Sequence, residues 1–153
     1  MHFGGSGPGD RNGRDKMHIT LETDYAIRMV DCLARGKARM GAQAIAEMNH
    51  VTLRFSLKIL SKLAAGGIVR SYKGVRGGYE LARPPGEISI GDILEIIEGP
   101  YEFSRCLNCE YKCTSGGDKE KCPYHRFFAR ISGDVRERLA SATIYDMITE
   151  QPE

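Results

Sequence analysis

No apolar run in these 153 residues approaches the roughly 18 that a membrane-crossing helix needs. The opening stretch MHFGGSGPGDRNGRDK also lacks the apolar segment of an export signal. The chain therefore reads as cytoplasmic, with no membrane partner, residues 1–16 forming a Gly-rich flexible tail and structured sequence beginning at Met17. Enzyme signatures are missing as well. There is no His-Glu-x-x-His, no Gly-x-Ser-x-Gly and no suitably spaced pair of acids. The Gly74 to Gly78 turn lacks the Gly-Lys-Ser/Thr ending of a phosphate-binding loop and opens a strand, not a helix. The expectation is a protein that is not an enzyme.

Lys and Arg are absent from residues 84–103, which hold five acids, whereas residues 52–83 carry seven basic side chains against Glu80 alone. Such asymmetry gives a polyanion a preferred side, although a solvated basic surface would look the same on charge alone. Periodicity narrows the choice. Thr20 can cap a helix with Glu22 and Asp24 in its first turn and Tyr25, Met29 and Leu33 at helical spacing. GAQAIAEMNH reads as a short second helix, and Thr52 can cap a third. In the third, Leu53, Leu57, Leu60 and Ala64 form the expected core stripe, leaving Arg54, Lys58, Ser61 and Lys62 outward. Two β-like runs, Ile68 to Tyr72 and Tyr79 to Ala82, then flank a basic glycine-rich turn. Three helices and a basic hairpin in this order are those of a winged helix-turn-helix, mainly α with a small β wing, whose third helix would enter the DNA major groove. Lys73 and Arg76 at the wing tip are placed to reach a minor groove.

Ser89 and Asp92 form a capping pair for a further short helix ending at Gly99-Pro100, and PYHRFFARISGDVRERLASATIYDMI reads as one long helix. Its apolar stripe needs a partner, and a homodimer would set two recognition helices about one DNA turn apart, on a palindromic operator. The divisions are thus 1–16 tail, 17–83 winged helix-turn-helix, 84–122 connecting helix and cysteine loop, and 123–150 dimerisation helix.

Four of the five cysteines lie in CLNCEYKCTSGGDKEKCPYH, spaced Cys106-x2-Cys109-x3-Cys113-x8-Cys122-Pro123. An odd count without an export signal disfavours a disulfide framework, and thiolates are the soft ligands shared by zinc, copper(I) and iron-sulfur clusters. A four-cysteine zinc site usually has two Cys-x-x-Cys knuckles, and only Cys106/Cys109 makes one. Pro123 suits the first position of the long helix, so Cys122 stands at its cap, where the helix dipole favours a thiolate. His125 shares a helical face with Cys122, as a ligand or a nearby surface group. Cys32, mid-helix among apolar residues, reads as a buried core thiol.

The stretches MHITLETDYAIRMV and VTLRFSLKILSKLAAGGIVRSYKGVRGGYELAR, with the loop closed by CPYH, resemble the Rrf-two family of bacterial winged-helix transcription regulators, IscR/NsrR-like members included, over residues 17 to about 148. The resemblance implies DNA contacts from Arg54, Ser56 and Lys58 on the recognition helix and from Lys73 and Arg76 on the wing. It further implies an iron-sulfur cluster, two-iron or four-iron, that alters DNA binding. Cluster-binding members commonly present three loop cysteines and a non-cysteine fourth ligand, whereas this loop has four. Cys106, Cys109, Cys113 and Cys122 are therefore the first-choice ligand set, with Asp24 and His125 as alternative fourth ligands and Asp24 alternatively only a dipole partner. A cluster-free thiol-redox switch and a zinc-stabilised DNA-binding adaptor are the competing readings.

Overall fold

The computed structural model describes residues 18–150, so the tail expected over 1–16 lies outside the described residues. Helix α1 (Leu21–Gly36) starts where Thr20 accepts a hydrogen bond from the Thr23 amide, with Glu22 and Asp24 in the first turn, and stops at Lys37 in the left-handed region. Helix α2 (Ala42–Met48) ends at Asn49, and His50, at φ 54°, turns the chain towards α3 (Leu53–Ala65), capped by Thr52. Strands β1 (Val69–Tyr72) and β2 (Gly78–Leu81) form an antiparallel hairpin that pairs Val69 with Leu81 and Tyr72 with Gly78. The segment before α2 joins the sheet through reciprocal Met40 and Tyr79 amide bonds of 2.9 and 2.8 Å. At Gly78, with φ +134°, a Cβ would stand 2.6 Å from the Met40 carbonyl oxygen, so glycine is what permits this approach.

Helix α4 (Ile90–Glu98) opens on the Ser89/Asp92 capping box expected from sequence. Its Ile93, with Ile88 before it, enters the same core as Met29, Val30 and Leu33 of α1 and Ile59, Leu60 and Leu63 of α3. The stretch 84–98 is thus part of the winged-helix body. The chain then passes through two single 3-10 turns, Arg105–Leu107 and Lys119–Lys121, to α5 (Pro123–Ser141).

Two helical expectations need correction. The helix expected to run unbroken over 123–150 stops at Ser141, because Thr143 and Asp146 make a second capping box that starts α6 (Ile144–Thr149). Ile144 is buried in the common core, and Ile90 and Ile144 amides bond to Ala142 and Ile88 carbonyls at 2.8 Å, stitching the chain back to the body. In α3 the core face is Ser56, Ile59, Leu60 and Leu63, while Leu53 and Leu57 are 41% and 40% exposed. The stripe is rotated from the expected one, with Ser56 turned onto Met29 of α1. No described helix is long and apolar enough to cross a membrane.

Candidate nucleic-acid interface and cysteine segment

Arg54 and Lys58 stand exposed on α3, and Lys73 and Arg76 stand exposed at the wing tip, with the fully exposed Val75 between them. Ser56 does not join them. It is wholly buried, its hydroxyl 3.9 Å from Met29 Sδ, so the contact with DNA expected of it is replaced by a place in the core.

The cations of α3 are not free of counter-charge. Lys58 Nζ lies 2.9 Å from one Glu22 carboxylate oxygen and Lys62 Nζ 2.6 Å from the other. Hydrogen bonds from Lys58 and then Lys62 hold the Glu22 carboxyl below its ordinary range. Glu22 is thus an internal stand-in for a phosphate, beside the face that would meet DNA. From sequence Glu22 is only a first-turn acid of α1, since a contact across 36 residues has no local signature.

Arg39 is a second residue the sequence did not reveal. Its guanidinium lies 3.4 Å from the Tyr72 ring centre, approaches Glu80 at 3.6 Å and donates to the Arg76 carbonyl at 3.1 Å. Tyr72 in turn donates to Glu80 at 2.6 Å, which with Arg39 keeps that carboxyl low. One cation stacked on an aromatic face therefore anchors the wing that presents Lys73 and Arg76.

At the far end of α4, Glu98 accepts from the Thr20 amide and the Thr20 hydroxyl, both at 2.8 Å, and from the Thr23 hydroxyl. Burial opposes ionisation of Glu98, but these donors win and hold its carboxyl low. The last residue of α4, eight before Cys106, is therefore tied to Thr20 and Thr23, which flank Glu22 at the start of α1. Asp24, also in that first turn, pairs with Arg28 at 2.9 Å.

The cysteine segment is held just before its first cysteine and by one bond across its own length. The Phe103 amide donates to buried Ser132 of α5 at 2.9 Å, and Lys119 donates to the Asn108 carbonyl at 3.3 Å. Cys106 Sγ lies 3.2 Å from Ser104 Oγ, Cys109 is exposed, and Cys113 Sγ lies 2.9 Å from Ser115 Oγ. Hydrogen bonds from Ser115 bring the Cys113 thiol down from its ordinary value. Cys122 is the N-cap of α5, with Pro123 in the first helical position, as its sequence implies. All four thiols are free, and among the described residues no three His, Cys, Asp or Glu side chains are gathered closely enough to hold a metal ion. The donor set nevertheless has the chemistry of a soft-metal site. His125, one turn into α5, adds a buried Nδ1 with no hydrogen-bond partner among the described residues. Filling such a site requires the loop to close around its occupant, the usual coupling of metal binding to folding.

The family model described as Rrf2, iron-dependent transcriptional regulator, matches residues 19–150. A protein of Aquifex aeolicus named as an HTH-type transcriptional regulator is 30% identical over 125 residues, 81% of this chain and 86% of its own. The regulator CymR of Bacillus subtilis is 28% identical over 133 residues, 86% of this chain and 89% of its own. Its solved structure, titled as the global cysteine regulator, superposes with a TM-score of 0.68 at 25% identity, over 89% of this chain and 99% of that one. Staphylococcus aureus CymR in an oxidized form gives 0.67 at 25% identity, over 90% and 100%. The fold is shared with T. potens IscR, at TM-score 0.64 and 23% identity, over 92% and 97%. These relatives are regulators and not enzymes, and with a helix-turn-helix, an anchored basic wing and a model match over nearly its whole length, the chain belongs to the Rrf2 family of transcriptional regulators.

Proposed function

We propose that this regulator binds a palindromic DNA operator as a homodimer and that the state of the segment from Cys106 to Cys122 sets its operator affinity. The observation carrying this reading is the set of hydrogen bonds and ion pairs that joins the end of α4, eight residues before Cys106, to the start of α1 and through it to the recognition helix. Glu98 leads into the segment and holds Thr20 and Thr23; Glu22, between them, holds Lys58 and Lys62. A change of loop order that moves Glu98 would shift the α1 terminus and the counter-charge on α3. Arg54, Lys58, Lys73 and Arg76 supply the DNA contacts, with Lys62 as a phosphate partner. Exposed Tyr124 and Phe127 on α5, whose one buried residue is Ser132, favour a second copy as the partner of that helix.

Cys106, Cys109, Cys113 and Cys122 would hold an iron-sulfur cluster, with His125 and Asp24 as alternatives for one position. When bound, such a cluster supplies a centre that responds to oxidants, nitric oxide and iron supply. The chain's own contribution is the ordering of residues 106–122 between α4 and α5. The test is anaerobic purification with iron, sulfide and zinc analysis. Fluorescence anisotropy of loaded and metal-free protein then follows on a duplex selected from a random pool, at fixed salt. A brown protein with stoichiometric sulfide and differing affinities supports the proposal; equal affinities overturn it.

A second reading has its own support. Cys113, four residues along the chain from exposed Cys109, is held low by Ser115, and a CymR structure similar to this chain was solved in an oxidized form. It expects a colourless protein whose DNA affinity changes with disulfide formation and returns with dithiothreitol.

A further inference from the structure

Cys32 belongs to neither arrangement, and it is not the core thiol expected from sequence. It is half-buried, with Sγ 3.6 Å from Met48 Sδ and 4.0 Å from Met40 Sδ. Three sulfurs thus meet from α1, from the end of α2 and from the segment bridged to the wing. Gly36, one turn along α1 from Cys32, makes room, since a Cβ there would stand 3.1 Å from Met40 Sδ. The three residues line an open cavity of about 620 Å³ that His50 also lines, and Met48 is 61% exposed, so an ion from solvent can reach the sulfurs.

We propose that Cys32, Met40 and Met48 form a binding site for one copper(I) ion. Spacing is the first argument. A d10 metal with sulfur ligands at about 2.3 Å holds three of them about 4 Å apart in a trigonal plane, and the two separations from Cys32 are 3.6 and 4.0 Å. Ligand character is the second. One thiolate and two neutral thioethers suit copper(I), whereas zinc and iron(II) call for harder or more anionic donors. Local charge agrees. Arg28 and Arg35 line the cavity, and the Asp31 carboxylate is already engaged by Arg35 at 2.7 Å, which disfavours a divalent ion. A single positive charge balanced by one thiolate adds no net charge there. On binding, the Cys32 thiol loses its proton to solvent and a sulfur lone pair forms the metal bond; copper stays in its +1 state. Burial, with Asp31 second, pushes the Cys32 thiol up, so the empty site keeps its proton. A bound ion would join α1 to both ends of α2 and so stiffen the turn at Asn49 and His50 that leads into the recognition helix.

The loop thiols also bind copper(I), so the test separates the two places. The full-length chain and its C106S/C109S/C113S/C122S variant are titrated anaerobically with copper(I) against bicinchoninate, each with and without M48L. The four-serine chain should retain one equivalent, weakened at least tenfold by M48L. The native chain should lose one equivalent of tight binding with M48L, a comparison that does not depend on the serine variant folding. X-ray absorption of the one-equivalent complex should give sulfur neighbours at about 2.3 Å. Unchanged copper affinity and stoichiometry in native M48L would overturn the proposal, as would a folded four-serine chain that retains none.

Discussion

Glu22 shows how much one side chain can hold. Its carboxylate neutralises Lys58 and Lys62 at 2.9 and 2.6 Å, so a duplex meeting this face would compete with it for both. E22Q should raise affinity for any duplex and steepen the salt dependence by about one unit in log-log slope, as measured by anisotropy across a salt series. The same carboxylate gives a pH effect. Its folded-state pKa lies below the ordinary 4.5, so its stabilisation is present above that value and fades as pH falls through the lowered one. Acid unfolding followed by circular dichroism should therefore be shallower in E22Q than in the native chain below pH 4.5. Arg54 and Ser56, two residues apart, should behave oppositely. R54A should cost about 1 to 3 kcal/mol of operator discrimination if it reads a guanine edge, while S56A should leave operator binding unchanged because the hydroxyl is buried against Met29. A loss of operator preference in S56A would show that the helix face is assigned wrongly.

At the scale of elements, α5 and α6 divide what looked like one helix. Ile144 sits in the core with α1, whereas Phe127 of α5 is 57% exposed. I144A should lower stability by about 2 to 5 kcal/mol in chemical denaturation. F127A should leave monomer unfolding nearly unchanged and weaken self-association in analytical ultracentrifugation. A stable I144A with weakened association would reverse these roles. The break was legible: Thr143 to Asp146 is the same Ser/Thr-x-x-Asp pattern that marked Ser89 to Asp92. The apolar spacing that runs on through Ala142 and Tyr145 masks it. The rotation of α3 was not legible. With Leu53, Phe55, Leu57, Ile59, Leu60 and Leu63 the helix is apolar on most sides, and two stripes fit one 3.6-residue period.

For the whole molecule, charge and shape act together. If a dimer neutralises about six phosphates, log affinity should fall with log salt at a slope of about −5. A flat slope would overturn DNA binding through the basic face. Cap residues, the hairpin and the charge boundary at residue 84 follow from sequence alone, because each depends on neighbours within a few positions: Thr20, Thr52 and Ser89 start their helices, and Cys122 with Pro123 starts α5. The four closely spaced cysteines between α4 and α5 are likewise read from sequence. Tertiary structure alone decided the rest. It buried Ser56, stacked Arg39 on Tyr72, set Glu22 between two lysines, hung Thr20 and Thr23 on Glu98, and brought Cys32 to Met40 and Met48. These contacts join different elements, so they depend on which face of each helix the shared core selects, and that choice is made only when all the helices pack at once.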